Sequence, residues 1–170
     1  MDVSGPGGGS LDPGARVPVL FGHAIAFADN LGASDILPPR ASSLPPAQAA
    51  HGLFADLGGG LVARLEAGTV LVAGQRLGHG EGGAAAARAL GAAGFIAVVA
   101  SSFADGFDEH CLAARLPPFE VDAPFVFHTG QRMRINAEAA TIANLSSGDR
   151  QPIRNATEAL LARLRAMLDR

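Results

Sequence analysis

The sequence predicts a single-domain α/β fold, and three observations carry that prediction. Thr69-Val70-Leu71-Val72-Ala73-Gly74 and Phe95-Ile96-Ala97-Val98-Val99-Ala100 are short, β-branched apolar runs bounded by glycine, the pattern of buried strands. Between them Ala84 to Ala93 is Ala-rich, with Arg88 and Leu90, and Gly94 supplies its stop. The passage therefore reads as one strand–helix–strand unit with a right-handed crossover. Beyond Leu116-Pro117-Pro118 the chain changes to short strands and closes on an amphipathic helix. Its 170 residues suffice for one domain with its own core, and 48% hydrophobic against 17% charged residues is a globular composition.

Residues 1–15, mostly Gly, Pro and Ser, have almost nothing to bury and are expected to form a flexible tail, with residues 16–170 as the domain. Arg16 to Ala28 alternates apolar and small residues like a strand, and the polar run Asp29 to Asp35 reads as a turn. Pro38-Pro39-Arg40 stops any element there. Ser43 is the expected N-cap of a short helix over Pro45 to Leu57, ended by Gly58-Gly59-Gly60. A further helix is expected from about Phe103 to Ala114. Phe125-Val126-Phe127, Met133 to Asn136 and Thr141 to Asn144 are expected strands, with Ser147-Gly148-Asp149 a turn. In the final helix Asn155 and Glu158 form a capping-box-like start, and Leu160, Leu161, Leu164, Met167 and Leu168 make one apolar stripe.

Composition excludes several function classes. A net charge of −3 argues against nucleic acid as a partner, because phosphate binding needs a basic face. The most apolar stretch, Ala84 to Ala100, carries Arg88 and two glycines and falls short of a membrane span. The N-terminal stretch has neither the basic nor the apolar region of a secretory signal. One cysteine cannot make an intrachain disulfide or a Cys-rich zinc site, so a cytoplasmic location is expected.

Gly78-His79-Gly80-Glu81-Gly82-Gly83 matches G-x-G-x-x-G between a strand and a helix. Three features count against a dinucleotide site. Gln75 to Leu77 intervene where the fingerprint has a tight turn, the second strand runs into Ala100-Ser101-Ser102 with no acid for a ribose, and there is one βαβ unit rather than two halves. What remains is a helix start with free N–H groups at Gly82, Gly83 and Ala84, which favours an anion.

Four stretches in order resemble one known family, the small subunit of 3-isopropylmalate dehydratase, equivalent to the swivelling C-terminal domain of aconitase. Asp29-Asn30-Leu31-Gly32-Ala33-Ser34-Asp35-Ile36-Leu37-Pro38-Pro39-Arg40 is similar to the family's D-N-I-N-T-D-x-I-L-P-x-R. Gly68 to Gly74 with Leu77-Gly78-His79-Gly80 is similar to G-D-I-I-V-A-G-x-x-F-G-x-G. Val98 to Ala104 with Leu116-Pro117-Pro118 is similar to A-V-I-A-E-S-F-A…G-L-P-P, and Met133 to Leu168 to the family's closing segment and helix. The resemblance spans about Arg16 to Arg170 and implies a single swivelling β/β/α domain.

The departures fall on the chemistry. The family continues G-x-G with S-S-R-E, whose first Ser is its general base and whose Arg grips a substrate carboxylate. Here those positions read Glu81, Gly82, Gly83 and Ala84. Thr-Asp of the first motif is Ala33-Ser34, and R-I-F-Y-R-N has become Asp105-Gly106-Phe107-Asp108-Glu109-His110. Two arginines are thus replaced by acids. A dicarboxylate needs such cations, because burying its charge unpaired costs several kcal/mol, so a substrate unlike the family's dicarboxylates is expected.

Glu81 is the first candidate catalytic residue, since a carboxylate can abstract a proton where the family uses serine; its alternative role is an acid that complements the helix dipole. His79 is the candidate second catalytic group, or else a solvated loop residue. Gly80, Gly82 and Gly83 would leave room for substrate, and Asp105 and His110 would face the same cleft if the fold holds. Asp29 and Asp35 lie on the first-motif loop that borders the family's site, as substrate-binding groups or turn formers. Arg40 matches a family arginine and is either a site cation or the partner of a local acid. His79, Glu81 and His110 have no recognisable ligand spacing, so no metal is expected. Cys111 reads as a small buried residue.

These residues imply elimination- or isomerisation-type acid–base chemistry on a small molecule. In one reading the chain caps a large dehydratase subunit that holds a [4Fe–4S] cluster, with no cofactor bound by this chain. In a second it is a stand-alone cyclase or isomerase of secondary metabolism, a homo-oligomer acting on a largely neutral, apolar substrate. In a third it is a non-catalytic assembly subunit.

Overall fold

A computed structural model describes residues 16–57 and 68–168. The expected tail and the Gly58-Gly59-Gly60 stop lie outside the described residues. Seven strands form one sheet in the order β4-β3-β2-β1-β5-β6-β7. The strands are β1 (Leu20–Ala26), β2 (Thr69–Val72), β3 (Phe95–Ala100), β4 (Pro118–Glu120), β5 (Arg132–Asn136), β6 (Thr141–Asn144) and β7 (Arg150–Pro152). From β1 through β4 the pairings are parallel, and from β1 through β7 antiparallel, so β1 joins two halves of different character.

The parallel half follows from apolar runs that suit burial on both faces. Leu71 of β2 and Val98 and Ala100 of β3 turn to one side, against α1 (Ala33–Ile36), α3 (Gly83–Ala92) and α4 (Phe107–Ala113). Val70, Val72, Ala97 and Val99 turn to the other, against Met133, Ile135 and the Leu160, Leu161 and Leu164 stripe of α5 (Glu158–Leu168). The period-2 alternation of each strand thus feeds two cores separated by the sheet.

Several local expectations are corrected. The helix expected over Pro45 to Leu57 is α2 (Pro46–Ala49) followed by two 3-10 turns, Ala50–Gly52 and Ala55–Leu57. Phe54, at φ 58° and fully buried, breaks it, and Pro45 rather than Ser43 stands at its N-cap. Phe125-Val126-Phe127 is not a strand; Pro124–Val126 is a 3-10 turn, held where Gln151 hydrogen-bonds both the N–H and the carbonyl of Ala123 (2.8 and 2.9 Å). The polar turn at Asp29 to Asp35 contains the short α1, because the Asp35 carboxylate accepts the Gly32 N–H at 2.9 Å and supports a helical turn. Helix α4 starts at Phe107, not Phe103, since Phe103 and Ala104 are occupied in backbone pairing with Leu77.

Asn155 is no cap either. Its side chain clamps β4, accepting the Glu120 N–H at 2.8 Å and donating to the Pro118 carbonyl at 3.1 Å, while Thr157 accepts the Leu160 N–H at 3.2 Å. The edge strands β4 and β7, three residues each and each containing a proline, carry no strand pattern in the sequence.

Asn144 is fully buried and joins the antiparallel half to the turn at Val126. Its amide donates to the Val126 carbonyl and to Gln131 (3.1 and 2.7 Å), and its Oδ1 accepts from the N–H groups of Ser146 and Ser147 (2.9 and 3.0 Å). Asn144→Ala strands these partners and is expected to destabilise by about 3 kcal/mol, a fall of roughly 6–12 °C in Tm by calorimetry.

Glu138 ties the chain's first described segment to α5. It accepts two hydrogen bonds from Arg165 (2.9 and 2.7 Å) and one from the Val17 N–H (2.8 Å), which together hold its carboxyl down to about 2. A carboxyl depressed by folding contributes stability above its ordinary range, and loses it as pH falls from about 4.5 towards 2. Glu138→Gln should therefore lower Tm at neutral pH and flatten the loss of Tm across that acid window.

Candidate functional site

The loops after β1, β2 and β3 gather at the carboxyl ends of the parallel strands, where open α/β sheets bind ligands. They are laced together by backbone. Gly78 donates to the Leu31 carbonyl (2.8 Å), Ala33 to the His79 carbonyl (2.8 Å), Leu77 to Ser102 (3.1 Å) and Ala104 to Leu77 (2.9 Å). The glycine loop is thereby pinned between the first-motif loop and the loop that leads to α4.

Gly78 is the fixed point of this arrangement. It sits at φ 84°, and a Cβ placed on it would lie 2.2 Å from Cγ of the buried Phe107 ring. Backbone must pass there without a side chain. Gly80, at φ 86°, differs: a Cβ there would meet nothing within 4 Å, so the loop opens onto free space two residues further on.

That space is a cleft of about 500 Å³. Glu81, Asp105 and His110 line it, with Gly80, Gly82 and Gly83 at the loop. Ala84 and Ala85, half-buried, add apolar surface, the bordering Phe107 ring is almost fully buried, and Ser42 reaches the cleft from the first-motif side. Six of the residues expected to border a substrate therefore share one cavity. Helix α3 begins beneath it with Gly82 at the N-cap, no side-chain cap and no acid in its first turn. Glu81 precedes the helix rather than capping it, so its carboxylate is left to the cleft.

Four other expected site residues lie elsewhere. The His79 Nε2 is 2.9 Å from the Asn30 carbonyl and its ring packs over Gly32, so it braces the loop and does not line the cleft. Asp29 accepts the Gln75 N–H at 2.8 Å, and Asp35 the Gly32 N–H; both are spent on backbone. Arg40 pairs with Asp56 at 3.0 Å, which lowers the Asp56 carboxyl from its ordinary range. Both partners are exposed, where such a pair adds little stability.

One functional candidate escaped the sequence reading. Arg88 of α3 lines the cleft, so the cavity holds a cation. Helical side chains lean towards the N-terminus, and Arg88 follows the loop by little more than a turn; that geometry was the available signal.

Among the described residues no three His, Cys, Asp or Glu side chains are placed to hold a metal ion. Cys111 is buried, and desolvation with Asp108 nearby pushes its thiol well above the ordinary range, so it is no nucleophile. No described helix is long and apolar enough to cross a membrane.

No protein-family model matches the chain. Among curated proteins, the 3-isopropylmalate dehydratase small subunit of Moorella thermoacetica is 30% identical over 137 residues, 79% of this chain and 82% of that protein. The corresponding small subunit of Nautilia profundicola is 30% identical over 131 residues, 76% of this chain and 79% of the relative. A crystal structure of 3-isopropylmalate dehydratase from Methanocaldococcus jannaschii superposes with a TM-score of 0.76 at 22% identity, covering 81% of this chain and 82% of that one. The seven-stranded architecture is the swivelling β/β/α domain of these proteins.

Proposed function

The chain belongs to the 3-isopropylmalate dehydratase small-subunit family, and from that premise we propose that it is the small subunit of a hydro-lyase whose substrate is not one of the family's dicarboxylates, with Glu81 as its general base. One observation carries the reading. The resemblance gives Glu81 the position of the family's base, and the residue lines a cleft of about 500 Å³ at the carboxyl ends of the parallel strands.

The resemblance implies a [4Fe–4S] cluster. Such clusters are held by several cysteine thiolates, and this chain has one cysteine, buried and protonated, so its own residues do not fit the group. The cluster would belong to a large partner subunit.

In the elimination, the Glu81 carboxylate takes a proton from the carbon beside the one bearing the leaving group. The C–H electron pair becomes the new C=C bond as the C–O bond breaks. His110, on the same cleft, hands a proton to the departing hydroxide, which leaves as water. The proton on Glu81 then returns to solvent through the open cleft, and His110 is reprotonated.

The substrate claim has a direct test. The family's loop arginine is absent, and its charge-assisted contact contributes about 3 kcal/mol, so the chain assembled with its large subunit is expected to turn over 3-isopropylmalate at least ~100-fold more slowly than a family enzyme. Turnover at a family enzyme's rate would overturn it. The stand-alone cyclase or isomerase reading draws on one observation, the apolar surface of Ala84 and Ala85 beside the open glycine loop.

A further inference from the structure

Strand β5 runs Arg132-Met133-Arg134-Ile135-Asn136, and its alternation gives the antiparallel half two unlike faces. Met133 and Ile135 enter the core with α5, while Arg132 and Arg134 turn to the other side. Residues directly opposite one another in a ladder share a face. Arg134 therefore stands beside Phe21 of β1 and, across Ala143, in one row with Arg150 of β7. Arg132 stands beside His23 in the next row, where the Leu145 N–H donates to the Arg132 carbonyl at 2.8 Å. Phe21, His23, Arg132 and Leu145 border a shallow hollow of about 150 Å³. Phe21 is 60% exposed and Leu145 43%, and neither belongs to either core.

This face carries one sign of charge. Strands β1, β5, β6 and β7 contain no Asp or Glu at any position, and Arg132, Arg134 and Arg150 reach no carboxylate among the described residues. The whole chain has a net charge of −3, so three arginines gathered around an exposed Phe run against its average. A merely solvated sheet face mixes both signs, and like charges at neighbouring positions weaken the sheet. Arginine and aromatic side chains without acids are instead the composition of a protein interface. We infer that this face docks an acidic surface of the large subunit, with carboxylates for Arg132, Arg134 and Arg150 around an apolar group seated against Phe21 and Leu145. The inference rests on the proposed two-component hydro-lyase and names the surface that holds its second component. A second copy does not fit through the same face, because a two-fold contact would set these arginines against strands with no carboxylate. The patch lies at the amino-terminal ends of β1 and β2, where His23 pairs with Thr69. Docking there leaves the cleft at the carboxyl ends unobstructed.

The test isolates the tagged chain anaerobically from its native host as wild type, as Arg132→Glu/Arg150→Glu at two exposed positions, and as Arg115→Glu, an exposed control beyond α4. Subunit dissociation constants are read by analytical ultracentrifugation, with the cluster absorbance marking the large subunit and circular dichroism confirming the fold. The double reversal should weaken association at least ~10-fold, with Arg115→Glu within about 2-fold of the wild type. The wild-type complex should itself weaken at least ~10-fold between about 50 and 500 mM salt, which tests the contact even where a reversal misfolds. Unchanged affinity in the folded double variant, or salt-independent association of the wild type, overturns the inference and leaves the two-component reading standing. A homo-oligomer or a nucleic-acid complex that the double reversal disrupts gives the face another occupant and overturns it too. A wild type that brings no cluster-bearing polypeptide sinks the two-component reading, and the inference with it.

Discussion

Replacing Glu81 with glutamine is expected to lower turnover by roughly 10²–10⁴-fold while leaving Tm within about 1 °C of the wild type. The substitution keeps the volume and the hydrogen-bonding capacity of the side chain and removes its ability to accept a proton. Glu81 is exposed and makes no hydrogen bond or ion pair with the described residues, so folding loses nothing with its charge. An aspartate in its place retains the carboxylate on a shorter arm and should recover part of the rate, since a base displaced by about an ångström still works at reduced efficiency. Full activity in the glutamine variant would remove Glu81 from the mechanism.

Gly78→Ala should have the largest effect on stability of any single methyl group added to the loop. The new Cβ would overlap the Phe107 ring at 2.2 Å, and the φ of 84° is strained for alanine even without a neighbour. Phe107 is 1% exposed, packed within the core under α3 and α4, and has nowhere to swing. Together the overlap and the strain are expected to cost about 3 kcal/mol. The loop would also lift from Leu31 and carry Glu81 with it, lowering activity by a further ~100-fold in the protein that still folds. Gly80→Ala is the matched control: similar φ but open space, so it should cost only about 1 kcal/mol.

The two substitutions also show which parts of this molecule are legible in its sequence. The strand–helix–strand unit was, because parallel strands buried on both faces leave continuous apolar runs, and Thr69–Val72 and Phe95–Ala100 fall where the pattern puts them. The edge strands were not. Pro118 opens β4 and Pro152 closes β7, and proline in a short run reads as a stop although an edge position tolerates it. Asn155 misled for a related reason: a residue type that caps helices serves here to satisfy a strand edge 35 positions away.

For the site the division follows the same physics. Glu81 and Asp105 share the cleft because each extends from a loop at the ends of parallel strands, and His110 joins them from the helix α4 that the second loop leads into; strand ends can be counted along a chain. His79, Asp29 and Asp35 belong to the same loops, but unpaired backbone N–H and carbonyl groups claimed their side chains first. Local sequence does not disclose that competition, since both outcomes use the same residue. Arg88 shows the converse. It belongs to a helix that reads as structural, and it reaches the cavity one turn after the loop, on the same helix as Ala84 and Ala85.

The central claim, that this chain is the small subunit of a two-component hydro-lyase, is most directly tested by purifying it under anaerobic conditions from its native host. Native mass and visible absorbance would be recorded together. The account predicts a larger second polypeptide in stoichiometric complex, carrying the broad absorbance of an iron–sulfur cluster, with turnover that requires both chains. A colourless homo-oligomer that is active alone would contradict it.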